Sequence, residues 1–323
     1  KISSRELSEL VKSFLQHVAR RPADKQSVEP AMAEIARRLY GLLITPIASS
    51  LDREKQLCIV PDKALNQLPY AALVSPESGR FLFEDYTISF APSATMFVIC
   101  SQAAALKGNV KTEKLLGVGN PAFDRKAFPL PDLPSARREV EVIAYYYQHP
   151  RKMIGEEATK RRLENEIGRF DILHLAMHCI VNEHSPMLSQ LLMAAPGKQD
   201  PEAEGVLQAH EIYRLPLSRL RLVILSACRS GVERYYGGEG MVGISRPFIA
   251  KGVPLVVASL WEVDPDATTK LMISFHEYRK QKTLATAEAL RQAQLNLLNG
   301  PDSSQRHPYY WASFASIGGY ANY

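Results

Sequence analysis

The sequence predicts an α/β fold in which a mostly parallel sheet is flanked by helices. Three observations lead there. Short apolar runs end abruptly at turn residues, segments with helical apolar spacing lie between them, and this alternation occurs on both sides of a proline-rich stretch near residue 130.

The elements follow in order. Leu7, Leu10, Val11, Phe14, Leu15 and Val18 fall at three- and four-residue intervals, with Ser3 or Ser4 available as a cap. A second amphipathic helix is expected through Met32, Ile35, Leu39, Leu42 and Leu43. Apolar runs then end at Pro61-Asp62 (Leu57–Val60), at Ala91-Pro92 (Ile88–Phe90) and at Gly119-Asn120-Pro121 (Leu115–Val118). The segment Pro121–Pro134 carries four prolines and reads as a linker or long loop, so a boundary is placed at 130, giving expected units 1–130 and 131–323. Beyond it we expect a helix Ser135–Tyr147 capped by Ser135, and another over Ala158–Ile167. The apolar run Ile172–Met177, the strand Leu222–Ala227, a helix Val242–Ala250 and the strand Leu255–Leu260 follow. Helices Ala267–Tyr278 and Leu284–Leu298 close the series.

Composition narrows the function classes. At 323 residues the chain exceeds one average domain of about 150. Its 46% hydrophobic and 23% charged residues are those of a folded protein with a substantial core. No apolar run reaches the roughly 18 residues of a spanning helix, which argues against a membrane protein. A net charge of +5, spread along the chain, argues against direct nucleic-acid binding, which favours concentrated basic patches. Four cysteines without paired spacing suggest neither a disulfide framework nor a metal site, and so a reducing, cytoplasmic setting. The charged start at Lys1 lacks a signal-peptide pattern and reads as a fragment of a longer protein.

Two reactive residues sit at matching places. His178 follows the run Ile172–Met177, and Cys228 ends the run Leu222–Ala227. Sites in open parallel sheets gather at strand carboxyl ends, and an imidazole beside a thiol raises the thiolate fraction and returns a proton to a leaving amine. Taken alone, Cys228 reads as a buried packing cysteine, and it is the pairing with His178 that favours chemistry. His174, inside the run, reads as a core or supporting histidine. Cys58 and Cys100 read as core.

These landmarks together resemble the CHAT domain, a caspase- and separase-like cysteine peptidase family. Ile59–Asp62 through Leu68–Leu73, Ala91–Thr95 and Leu130–Glu139 are similar to its early segments. Leu173–His178 is similar to its histidine motif, and Leu225–Cys228 to its nucleophile motif. Gly238–Gly243, Ser259–Trp261 and Tyr310–Phe314 complete the set. His178 also precedes Cys228 by about 50 residues, as in the caspase signature.

The resemblance implies two caspase-like α/β units, a degenerate first and an active second. It implies a cysteine endopeptidase with His178 as base, Cys228 as nucleophile, and the backbone N–H groups of Cys179 and Cys228 holding the oxyanion. No cofactor or metal is implied. It further implies a protein substrate, an upstream helical-repeat or sensor region that keeps the enzyme latent, and a bacterial origin. The sequence departs from the family at Cys179, where glycine is usual, and at Pro265, where an acid is usual; Asp264 and Asp266 flank the latter. Glu262, Asp264 and Asp266 are candidate contacts for a basic substrate residue, although Asp264 or Asp266 equally suits a helix cap. Three other readings remain. One is a catalytically silent protein-binding scaffold. Another is a nucleotide site at Gly238-Glu239-Gly240-Met241-Val242-Gly243, weakened because that glycine segment does not directly follow a strand. The third and least favoured is a basic nucleic-acid module.

Overall fold

The computed structural model of the chain describes residues 2–22, 29–108, 110–182, 184–195, 205–227, 234–236, 240–262 and 264–323, with only the backbone for 234–236 and 240–242. Two helices open it, α1 (Ser4–Val18) and α2 (Pro30–Leu43). Ser3 caps α1 in a reciprocal box with Glu6, the pairing that satisfies two otherwise unpartnered N–H groups. The apolar stripe expected of α1 buries Val11, Phe14 and Val18.

Strands β1 (Gln56–Ile59) and β2 (Thr87–Phe90) follow, separated by the single-turn α3 (Leu82–Asp85). Next come α4 (Ala94–Leu106), β3 (Leu115–Pro121), α5 (Pro134–Ala144), β4 (Arg151–Gly155), α6 (Lys160–Glu166) and β5 (Ile172–Ala176). A small antiparallel sheet intervenes: β6 (Cys179–Ile180), β7 (Gln190–Leu192) and β8 (Val206–Gln208). Then β9 (Leu222–Ser226), the hairpin β10 (Arg234–Tyr236) and β11 (Gly240–Val242), α7 (Arg246–Ala250) and β12 (Leu255–Ser259) lead to α8 (Pro265–Gln281) and α9 (Thr286–Leu298). The single-turn α10 (Pro308–Trp311) and β13 (Phe314–Gly318) end the chain.

Eight strands form one sheet in the order β1-β2-β13-β12-β9-β5-β3-β4, parallel throughout except where β13 meets β12. The boundary expected at 130 falls between β3 and β4, which pair in parallel. The late strand β13 sits between β2 and β12, so both halves of the chain share this sheet. Both faces are buried. Ile172, Leu222, Ile224, Leu255 and Val257 pack with α1, α2, α8 and α9. Their neighbours Leu173, Leu175, Val223, Leu225 and Val256 pack with residues of α4, α6 and α7 on the other face. This period-two division explains why the central strands read as unbroken apolar runs.

Two local expectations are corrected, and one helix was not expected. Pro134, not Ser135, begins α5; proline suits the first helical position because its missing N–H needs no partner there. The helix expected from Val242 starts only at Arg246, because Pro247 would disrupt a helix begun a turn earlier. Helix α4, capped by the Ser93 hydroxyl on the Met96 N–H, stands where only a motif was noted.

Candidate active site

The site begins with strand register. β5 and β9 are adjacent, and their last paired residues are Ala176 and Ser226. His178 lies two positions beyond the first, and in sequence Cys228 lies two positions beyond the second. Cys228 itself, with 229–233 and 237–239, falls outside the described residues. The residue before it is held: the hydroxyl of Ser259, fully buried at the end of β12, donates to the Ala227 carbonyl.

His178 is half-buried, and its orientation is set from the loop after β3. Its Nε2 lies 2.8 Å from the Pro131 carbonyl oxygen. A carbonyl oxygen only accepts, so Nε2 carries the proton and the neutral ring keeps its lone pair on Nδ1. Phe123 stands edge-on to the imidazole, with ring centroids 5.3 Å apart. The loop that supplies both groups is tied down at its ends. Asn120, in the left-handed region at φ 44°, accepts the Leu133 N–H at 3.0 Å, and Arg125 pairs with Asp132. Of the two readings of this stretch, linker or long loop, it is a long loop over the histidine. Sequence reasoning missed Pro131 because its contribution is a backbone oxygen.

Cys179 opens β6. The Leu192 N–H donates to the His178 carbonyl at 3.0 Å, and Cys179 faces Leu191. In an antiparallel ladder hydrogen-bonded and non-hydrogen-bonded pairs alternate, so the Cys179 N–H points away from β7.

Of the three candidate acids, two line a common cavity. Asp264 and Asp266 border a cavity of about 990 Å³ that Pro131 also lines; Glu262 is exposed and is not among its walls. Asp264 is also the N-cap of α8, accepting the Ala267 N–H at 3.0 Å, as its alternative reading anticipated. Its other oxygen meets Arg21 at 3.1 Å. Asp266 lies in the first turn of α8, where a carboxylate is favoured by the helix dipole. Of the glycine segment, residues 240–242 form β11, paired antiparallel with β10, and the five-residue α7 follows; Gly238 and Glu239 lie outside the described residues.

Behind the sheet end lies a buried polar chain. His174 Nε2 meets Glu139 Oε1 at 2.7 Å, and its Nδ1 lies 3.1 Å from His276 Nε2. His276 Nδ1 lies 2.7 Å from the Tyr147 hydroxyl, which accepts from Arg279 at 3.3 Å. With both rings neutral, every member of this chain has a matching donor and acceptor. Burial pushes His276 well below its ordinary value, and the facing His174, Arg279 and Lys280 push the same way. Cys100 is buried and Cys58 half-buried, and burial raises both thiols, as suits packing cysteines. Among the described residues no group of three His, Cys, Asp or Glu side chains could hold a metal, and no helix is long and apolar enough to cross a membrane.

Comparison with known proteins agrees with this layout. Tetratricopeptide repeat protein 28 of Homo sapiens is 24% identical over 327 residues, covering 87% of this chain but only 13% of that protein. The Mus musculus counterpart is 26% identical with the same coverage, so the named relatives extend to mammals. Among solved structures, the Arg specific cysteine proteinase gingipain R is similar with a TM-score of 0.52 and 11% identity, over 97% of this chain and 75% of that one. The Saccharomyces cerevisiae separase–securin complex is similar with a TM-score of 0.54 and 13% identity, over 96% of this chain and 20% of that one. At such identities the likeness concerns the fold, which is that of caspase-like proteases. The family model described as the CHAT domain matches residues 33–319, nearly the whole chain, and the protein therefore belongs to the CHAT domain family.

Proposed function

We propose that the chain is a cysteine endopeptidase whose nucleophile is Cys228 and whose general base is His178. The observation that carries this reading is the register of β5 and β9. Ala176 and Ser226 are paired, and histidine and cysteine each stand two residues further on. The Pro131 carbonyl supports the role of base, because a third group orients the ring and leaves Nδ1 to take the thiol proton.

The sulfur then attacks the scissile carbonyl carbon. The N–H groups of Cys179 and Cys228 stabilise the oxyanion, and the imidazolium gives its proton to the leaving amine. Water, deprotonated by the same ring, cleaves the thioester, releases the carboxylic product and restores the thiol. No cofactor takes part.

The preferred residue before the scissile bond is arginine or lysine. Asp264 and Asp266 beside Pro131 supply the carboxylates for it; Glu262, outside the cavity walls, is not used. The Arg specificity stated for gingipain R favours the same choice. The substrate is a protein. Because this chain matches only 13% of a tetratricopeptide repeat relative, we assign latency to a helical-repeat region outside it. The few cysteines without paired spacing favour a reducing, cytoplasmic setting.

Labelling by an arginyl acyloxymethyl ketone peptide tests the reading. Adduct on Cys228, lost in Cys228→Ala and reduced by about 10²–10⁴-fold in His178→Gln, is the expected outcome. Undiminished labelling of Cys228→Ala, or none of the parent even with its repeat region present, leaves a protein-binding scaffold.

A further inference from the structure

The proposed basic-residue subsite is already occupied by a side chain of the same molecule. Arg21, just after α1, places its guanidinium 3.1 Å from Asp264 Oδ2. Both residues line the same cavity, as does Tyr310 of α10. Tyr310 on the same wall, and then the charge of Asp264, hold the guanidinium pKa above its ordinary value.

The two partners are unequal. The Asp264 side chain is 12% exposed and is clamped by its capping bond to Ala267, whereas the Arg21 side chain is 68% exposed. The carboxylate belongs to the wall, and the guanidinium is a guest on it. The backbone that carries Tyr310 is anchored: the Trp261 indole N–H donates to the carbonyl of the preceding Tyr309 at 3.1 Å, tying α10 to the segment after β12. A clamped carboxylate with a phenol beside it on the same cavity suits a planar cation with several N–H donors.

We infer that Asp264 and Tyr310 together form a guanidinium subsite, and that Arg21 is its internal competitor, holding the subsite against arginine side chains of other proteins. This rests on the reading that Asp264 recognises the basic residue of the substrate. Tyr310 thereby becomes a specificity-determining residue, and the segment after α1 a regulator of substrate affinity.

Binding of agmatine, a free guanidinium, followed by calorimetry on the whole chain reads the subsite without requiring turnover. Arg21→Ala is expected to bind agmatine about two- to five-fold more tightly than the parent, the range an exposed ion pair supplies. Asp264→Asn keeps a good helix cap while removing the charge, so it stays folded and is expected to lose agmatine binding. Removing Arg21 in the Asp264→Asn background should then change nothing, because the two residues act through one contact. Tyr310→Phe should weaken binding by about two- to tenfold, the range of one lost hydrogen bond. In the labelling assay Arg21→Ala should favour the arginyl probe over its neutral citrulline analogue more strongly than the parent does.

The outcomes separate the two claims. If Asp264→Asn loses agmatine and the arginyl preference while Arg21→Ala binds no more tightly than the parent, the internal competitor is overturned and the basic subsite stands. If Asp264→Asn keeps the arginyl preference, or neither parent nor Arg21→Ala binds agmatine, the subsite falls and the competitor with it.

Discussion

Each reactive position of the site is steadied by a neighbour that carries no reactive group of its own. The Pro131 carbonyl decides which nitrogen of His178 holds the proton, and the Ser259 hydroxyl fixes the peptide just before Cys228. Ser259→Ala leaves the buried Ala227 carbonyl without that donor. It should cost about 1–3 kcal/mol of stability by denaturant titration and slow labelling of Cys228 beyond what the lost stability explains. Asn120 plays the corresponding part for the loop. It combines a positive φ with an acceptor for Leu133, and Asn120→Ala loses both. That variant should keep its overall fold by circular dichroism yet label more slowly, because the Pro131 carbonyl is no longer held over the imidazole.

At the scale of elements, α5 and α8 are joined beneath the site by buried polar groups as well as by apolar packing. Glu139 and Tyr147 come from α5 and the turn after it, His174 from β5, and His276, Arg279 and Lys280 from α8; Glu113 faces them from the segment before β3. The His276 pKa is depressed in the folded chain, so the unfolded chain binds the extra proton. The stability this residue contributes is full above its ordinary value of 6.5 and is lost as pH falls below it. His307, also lowered by burial, acts in the same direction. Burial alone would raise Glu113, but Arg279 and Lys280 outweigh it and hold the carboxyl low, so its contribution is present above 4.5 and is lost as pH falls further. Melting temperature should therefore fall in two stages on acidification, and His276→Asn should shrink the first. Packing is equally exacting. A Cβ on Gly117 would meet Val140 at 2.8 Å, and one on Gly119 would meet the Ala136 carbonyl of α5 at 2.9 Å. Gly119→Ala should therefore destabilise by about 1–3 kcal/mol in denaturant titrations.

For the whole molecule, the decisive strand is the last one. β13 lies between β2 and β12, and its antiparallel pairing with β12 covers five residues. Removing residues 313–323 would open the centre of the sheet and expose strand edges on both sides, so the truncated chain should be insoluble or lack a cooperative melt. The intact chain should unfold in one transition by both near- and far-ultraviolet circular dichroism, since no sheet boundary separates its two halves. A second transition would favour independent units on either side of residue 130.

Local patterning carried much of this architecture. Leu7 to Val18 could bury a stripe only as a helix, and Ser3 with Glu6 marked its start. The runs at 172–176, 222–226 and 255–259 were too short and too apolar for anything but strands covered on both faces. Their places just past two apolar runs, and then the family motifs, mark His178 and Cys228 as candidates in the sequence itself. Other features depended on contacts between residues far apart in the chain. Pairing in the sheet decided that Ala176 meets Ser226, and a folded-back loop decided that a proline carbonyl meets His178. Likewise Arg21, more than two hundred residues from Asp264, reaches it only because α1 and α8 join one apolar cluster. Apolar periodicity reports which side of an element is buried, because burial acts on each residue separately. A hydrogen bond or an ion pair needs two partners and a direction, and only the assembled chain supplies both.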